Sequence, residues 1–255
     1  MRIRPNLALV LCILMSQCTP EKNEPLVIGH RGAMGYETEN TLASVEKAIE
    51  LGVDMIEIDV FRIRSGEIAV FHDETVDKLT NGGGRIEEYY YTDMKRLILD
   101  GGHRIPLLQE VLKQVDHRVP LNIELKGKET ADAVEQITRV YAEKYGWSPD
   151  QFLISSFHWD ELRAYRKLNP KARIAVLTEG DPLEALQVAE ELGAEAINPH
   201  HTQLQAENMA RIHEAGFKVY TWTVNDPEEF SRLRSIGVDG VFSDYPDRMR
   251  QTTGQ

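Results

Sequence analysis

A (β/α)8 barrel of the TIM type is the fold class that the sequence predicts. Three features predict it: eight short β-rich runs, an amphipathic helical stretch after each of the first seven, and no low-complexity segment or linker beyond residue 26. The chain has 255 residues, of which 42% are hydrophobic and 27% charged, so one large core is within reach. Barrels of this size fold as one domain, and we read residues 26–255 as that domain.

The predicted strands are Leu26 to His30, Asp54 to Asp59, Pro120 to Leu125, Phe152 to Ser156, Ala172 to Leu177, Glu195 to Asn198, Phe217 to Trp222 and Asp239 to Phe242. The helices between them are Thr41 to Leu51, Leu107 to Val115, Thr130 to Tyr145, Trp159 to Leu168, Pro182 to Leu192, Leu204 to Ala215 and Pro227 to Ile236, with none expected after the last strand. Asp181-Pro182 and Asp226-Pro227 each pair an N-cap with a proline in the first turn. Gly193, Gly216 and Gly237 stand where a helix ends.

A ninth β-rich run, Glu67 to Phe71, follows the second strand too closely for a parallel crossover, so it must return as an antiparallel hairpin. A two-residue turn at Ser65-Gly66 would set His72 opposite Asp59, and a bulge would shift that by one residue. From Asp73 to Pro106 the chain makes a long excursion at the barrel mouth, where insertions tend to be functional.

Ahead of the barrel, Arg2 and Arg4 precede an apolar run from Leu7 to Met15, too short to span a bilayer. Residues 1–17 therefore read as an export signal and residues 18–25 as a tether. The segment resembles a bacterial lipoprotein signal with Cys18 as the lipidated residue, although Gln17 stands where a small residue is preferred. An ordinary secretory signal is the alternative. Either way the protein is expected in the cell envelope or outside it. Loss of the signal removes Cys12, which leaves no intramolecular disulfide, and leaves 27 basic against 41 acidic residues, a net charge of −14. So acidic a chain has no general surface for nucleic acid.

The chemistry is expected at the C-terminal ends of the strands. Glu57 and Asp59 are two apart on one strand, Glu124 and Lys126 two apart at the end of the next, and alternation turns all four toward the barrel mouth. Like charges about 5 Å apart repel by roughly 3 kcal/mol at an effective dielectric near 20. Three carboxylates there need cations. Lys126 and Arg31 could supply them in a buried ion network; a divalent ion, Ca²⁺ or Mg²⁺, bound by Glu57, Asp59 and Glu124 is the other reading, and the residues alone weigh these evenly. His30 at the end of the first strand and His72 delivered by the hairpin favour catalysis, because paired imidazoles can exchange protons near neutrality. His200 and His201 follow a strand end and read as loop residues more than as substrate contacts.

Val27-Ile28-Gly29-His30-Arg31-Gly32, Thr38-Glu39-Asn40-Thr41, Glu57-Ile58-Asp59-Val60, Val70-Phe71-His72-Asp73, Ile123-Glu124-Leu125-Lys126, Ser155-Ser156-Phe157, Trp222-Thr223-Val224-Asn225 and Asp239-Gly240-Val241-Phe242-Ser243-Asp244-Tyr245-Pro246 together resemble the glycerophosphodiester phosphodiesterases, in order and over nearly the whole chain beyond residue 26. Thr38, where proline is usual, and Lys78-Leu79-Thr80-Asn81-Gly82, without the usual arginine, depart from the pattern. The resemblance implies a phospholipase-C-like phosphodiesterase barrel that hydrolyses deacylated phospholipids to sn-glycerol 3-phosphate and an alcohol. It implies that Glu57, Asp59 and Glu124 bind one divalent cation, Arg31 and Lys126 hold the phosphate, and His30 and His72 move protons. It further implies a cyclic phosphate formed by the substrate's own glycerol hydroxyl, with Trp222 lining the glycerol side; core packing is the other reading of Trp222. Two rival functions are phospholipase C or lysophospholipase D action on intact lipid, and a lipoprotein that binds a phosphorylated ligand without turnover. No Walker A loop, Rossmann glycine fingerprint, zinc-spaced cysteine pair or nucleophile elbow competes.

Overall fold

In the computed structural model, which describes residues 24–251, eight parallel strands close into a barrel and a ninth strand hangs from the second as a hairpin. The expected export signal, Cys18 and most of the expected tether lie outside the described residues. In chain order the elements are β1 (Leu26–Gly29), α1 (Leu42–Glu50), β2 (Met55–Arg62), β3 (Ile68–Val70), α2 (Tyr91–Met94), α3 (Leu108–Val115), β4 (Leu121–Leu125), α4 (Ala131–Lys144), β5 (Phe152–Ser156) and α5 (Trp159–Leu168). They continue with β6 (Arg173–Thr178), α6 (Leu186–Leu192), β7 (Ala196–Pro199), α7 (Ala206–Glu214), β8 (Lys218–Thr221), α8 (Pro227–Ile236), β9 (Gly240–Ser243) and α9 (Pro246–Gln251). Barrel neighbours run β1-β2-β4-β5-β6-β7-β8-β9, and β9 pairs back onto β1.

Strand alternation builds two cores. Outward residues such as Ile56, Ile58, Ile123, Ile154, Val176 and Val219 pack against the helices, while Ile28, Met55, Leu153, Ala175, Ala196, Tyr220 and Phe242 fill the barrel interior. A third cluster, including Phe61, Phe71, Ile86, Met94 and Leu99, joins the hairpin to the excursion, which is ordered by short turns rather than by one long element. Among the described residues no helix is long and apolar enough to cross a membrane.

The predicted caps form: Asp181 accepts from the Leu183 amide and Asp226 from the Glu228 amide, and Gly193 and Gly237 close α6 and α8 with positive φ. Four expectations are corrected. First, the hairpin register pairs Val60 with Val70 and Arg62 with Ile68, and the Phe71 amide bonds the Asp59 carbonyl, so Asp59 lies opposite Phe71 rather than His72. The cause is a three-residue loop: Ile63 and Glu67 bracket Arg64, Ser65 and Gly66, with Gly66 at φ +100° supplying the left-handed residue that such a loop needs. Second, β2 runs on to Arg62. Third, the first turns at Pro182–Ala185 and His201–Gln203 are 3-10, so Leu204 and Gln205 precede α7. Fourth, a helix does follow the last strand: α9 packs on β1 and buries Met249, and six residues with Met249 as their one large apolar side chain carry too little periodicity to announce it.

Candidate active site

The parallel register lifts the polar residues to one rim. Asp59 lies opposite Glu124, Glu57 opposite Asn122, and Glu124 opposite Ser155, all on inward-facing positions near the strand ends. Lys126 follows β4 directly, and its amide bonds the Val60 carbonyl. His72 leaves β3 at the same level despite the shifted register. His30 and Arg31 begin the loop after β1, with Arg31 at φ +49° and its amide donating to Glu57 Oε2 at 2.8 Å. The chain turns there through Gly32 at φ +86°, where a Cβ would lie 2.5 Å from the Ser44 backbone. All eight residues expected to carry function line one cavity of about 120 Å³, together with Asn122, Ser155, Phe157, Leu177, Thr223 and Phe242.

Oxygens of Glu57, Asp59 and Glu124 come within 4.8 Å of one another, and all three residues are buried. Burial first, then the charges of Asp59 and Glu124, raise the Glu57 carboxyl well above its usual range. Burial and Asp59 push Glu124 up to about 7 against the pull of Lys126. Glu57 Oε1 is buried with no hydrogen-bond partner. Orphaned acceptor, mutual repulsion and all-oxygen donors suit a hard divalent cation. Arg31 compensates only in part: its Nη1 holds Glu39 Oε1 at 2.7 Å and its Nε lies 3.4 Å from Asp59 Oδ2. Asn40 also braces Asp59, donating from Nδ2 to Oδ2 at 2.8 Å while its Oδ1 accepts the Asp59 amide at 3.2 Å.

Each imidazole has a carboxylate on Nδ1. His72 Nδ1 lies 2.6 Å from Asp73 Oδ1, and Lys126 Nζ lies 3.1 Å from His72 Nε2. A carboxylate accepts and an ammonium donates, so His72 carries its proton on Nδ1 and offers a lone pair at Nε2. Burial, helped by Arg31 and Lys126, lowers its pKa despite the opposing charge of Asp59 and the hydrogen bond to Asp73, and so favours the neutral imidazole. His30 Nδ1 lies 2.7 Å from Asp244 Oδ1.

The opposite wall is aromatic: Trp222 meets Phe157 edge-to-face at 5.4 Å, and its indole donates to the Asn198 carbonyl at 2.9 Å. Trp222 thus packs and faces the cavity at once. His200 meets the Trp222 ring edge-to-face at 4.9 Å and bonds the Thr202 hydroxyl at 2.8 Å without lining the cavity, and His201 is tied to Glu229 at 2.7 Å. Sequence reasoning gave no role to Asn40, Asp73, Asn225 or Asp244. Each is a short polar residue inside one of the quoted motifs, which is the available signal; Asp73 adjoins His72 in the chain, whereas the partners of Asn40, Asn225 and Asp244 are set by the closed barrel.

With this geometry established, a family model described as the glycerophosphoryl diester phosphodiesterase family matches residues 30–248. A glycerophosphodiester phosphodiesterase of Caldanaerobacter subterraneus is 33% identical over 233 residues, which is 88% of this chain and 96% of that protein. A phosphodiesterase of Oleispira antarctica, solved in complex with the product sn-glycerol-3-phosphate, superposes with a TM-score of 0.84 at 29% identity, covering 91% of this chain and 97% of that one. A glycerophosphodiester phosphodiesterase of Thermotoga maritima does so at 0.76 and 28% identity, over 90% of this chain and 98% of that one.

Proposed function

The chain belongs to the glycerophosphoryl diester phosphodiesterase family, and from that premise we propose that it hydrolyses glycerophosphodiesters to sn-glycerol 3-phosphate and an alcohol, with one divalent cation, Ca²⁺ or Mg²⁺, held by Glu57, Asp59 and Glu124. The observation that carries this reading is one cavity holding three buried carboxylates, two cations and two carboxylate-backed imidazoles. When bound, the cation offsets charge on the phosphodiester oxygens. Arg31 and Lys126 hold the phosphate, the guanidinium as a fork and the ammonium as a point charge. One of His30 and His72 takes the proton of the attacking hydroxyl at Nε2 while the other, in its protonated form, gives one to the leaving alcohol, and the attack of water on the cyclic phosphate reverses the two roles. Among the described residues no serine or cysteine in the cavity is paired with a base, Ser155 accepting from the Asn122 side-chain amide instead, which suits attack by the substrate's own glycerol hydroxyl and a cyclic phosphate that water then opens. Trp222 and Phe157 supply the apolar side against which the glycerol carbons rest.

From the N-terminal sequence alone we further propose that the protein is exported by residues 1–17 and anchored in the cell envelope by lipid at Cys18; the intact mass of the mature chain tests this, and a mature chain without lipid on Cys18 would favour an ordinary secretory signal instead. Protein starting at Thr19, incubated with glycerophosphocholine after chelation and again with Ca²⁺ or Mg²⁺ restored, should release glycerol 3-phosphate only with metal. Faster turnover of micellar lysolipid than of the soluble diester would transfer the assignment to intact lipid. No release with any metal from folded protein would contradict the proposed reaction.

A further inference from the structure

We propose that Asp244 and Asn225 act as positioning residues that clamp His30 in the tautomer protonated at Nδ1, so that Nε2 faces the reacting phosphodiester with its lone pair free. The proposal rests on the catalytic reading of His30 above and adds to it what holds that imidazole. Asp244 Oδ1 takes His30 Nδ1 at 2.7 Å, and a carboxylate can only accept, so the proton must be on Nδ1. The other oxygen, Oδ2, accepts from Asn225 Nδ2 at 2.7 Å, while Asn225 Oδ1 accepts the Asp244 amide at 2.8 Å and the Ser243 hydroxyl at 3.2 Å. The backbone amide can only donate, which fixes the orientation of the Asn225 side chain and with it that of the carboxylate. The His30 amide in turn bonds the Ser243 carbonyl at 3.1 Å.

The clamp therefore joins the end of β1, the loop after β8 and the end of β9, three neighbouring elements of a rigid barrel. Neither Asp244 nor Asn225 lines the cavity. The second imidazole is held otherwise. Asp73 is the next residue to His72, and the other side chain near it is Lys78 at 3.7 Å; the tautomer there is set by Lys126 on Nε2. Among the described residues no cation bonds the His30 ring, so its tautomer depends on the carboxylate clamp.

Nitrogen-15 NMR of the metal-free protein tests the clamp without turnover. At pH 8 the wild type should show a protonated Nδ1 and a bare Nε2 on His30, and Asp244→Asn, which can donate to Nδ1, should move the proton to Nε2. With glycerophosphocholine and metal, Asp244→Asn should lower kcat by about 100-fold or more with KM changed less than about threefold. Asn225→Ala, which leaves the charge but frees the carboxylate, should lower kcat about tenfold with the same KM. A wild-type His30 protonated at Nε2 would overturn the proposal. So would folded variants with unchanged tautomer and kcat, or variants whose only defect is a lower melting temperature. A wild type that shows the predicted tautomer yet turns over no diester would count against the proposed reaction and not against the clamp.

Discussion

Glu57 offers one oxygen to the Arg31 amide and leaves the other buried without a partner, a costly arrangement for a carboxylate that shares its site with two more. Glu57→Gln removes like-charge repulsion, so the metal-free variant should melt no lower than the metal-free wild type. The wild type should gain about 2.7 kcal/mol of stability at a metal concentration 100 times its dissociation constant, and the variant should lose most of that gain; calorimetry with and without metal checks both. An equal metal-induced shift in the two proteins would mean that the carboxylates form an ion network only. His72→Ala removes a group whose ring bonds are to Asp73 and Lys126 rather than to Glu57, Asp59 or Glu124, so turnover should fall by about 100-fold or more with metal-induced stabilisation retained. Near-normal turnover would remove His72 from proton transfer.

At the scale of elements, two glycines at positive φ separate conformational strain from collision. Gly66 has open space where its Cβ would be, so Gly66→Ala should cost only the backbone penalty of about 1 kcal/mol and leave turnover near normal, as urea unfolding and assay would show. Gly32 has the Ser44 backbone there, so Gly32→Ala must displace the loop that carries His30 and Arg31 and should abolish turnover in whatever protein folds. These positions also mark how far the sequence was legible. Eight buried parallel strands announce themselves as apolar runs, and Glu57, Asp59, Glu124 and Lys126 could be placed on one face because alternation in a strand has only two outcomes. Hairpin register depends on turn geometry instead, and Ser65-Gly66 fits a two-residue turn as readily as the last part of a three-residue loop. The braces Asn40, Asn225 and Asp244 were not legible as partners, because residues 19 or more apart meet only after closure.

For the whole molecule, the barrel segregates its charges by end. Opposite the mouth, Glu195 just before β7 is shared by Arg173 at the start of β6, Lys218 at the start of β8 and the Tyr220 hydroxyl. Burial alone would raise the Glu195 carboxyl, but hydrogen bonding and charge from Arg173, aided by Lys218, hold it down to about 2. A depressed carboxyl stabilises the fold above its unfolded pKa of about 4.3, and that stability is lost as pH falls toward about 2. The shift is worth at most about 3 kcal/mol, and solvent screening of a half-buried group reduces it to about 1–2 kcal/mol. Urea midpoints of wild type and Glu195→Gln should therefore differ most at pH 5 to 7 and converge as pH drops to 2. A difference independent of pH would show that Glu195 stabilises by packing alone.

A single divalent ion on Glu57, Asp59 and Glu124 is proposed to be required for diester cleavage. The direct measurement is glycerol 3-phosphate release from glycerophosphocholine by chelated protein during titration with Ca²⁺ or Mg²⁺, with bound metal counted on the same sample. Turnover rising from zero in proportion to one ion per chain, and absent from Glu57→Gln at matched metal, is the predicted result. Full turnover by protein shown to carry no metal would contradict it.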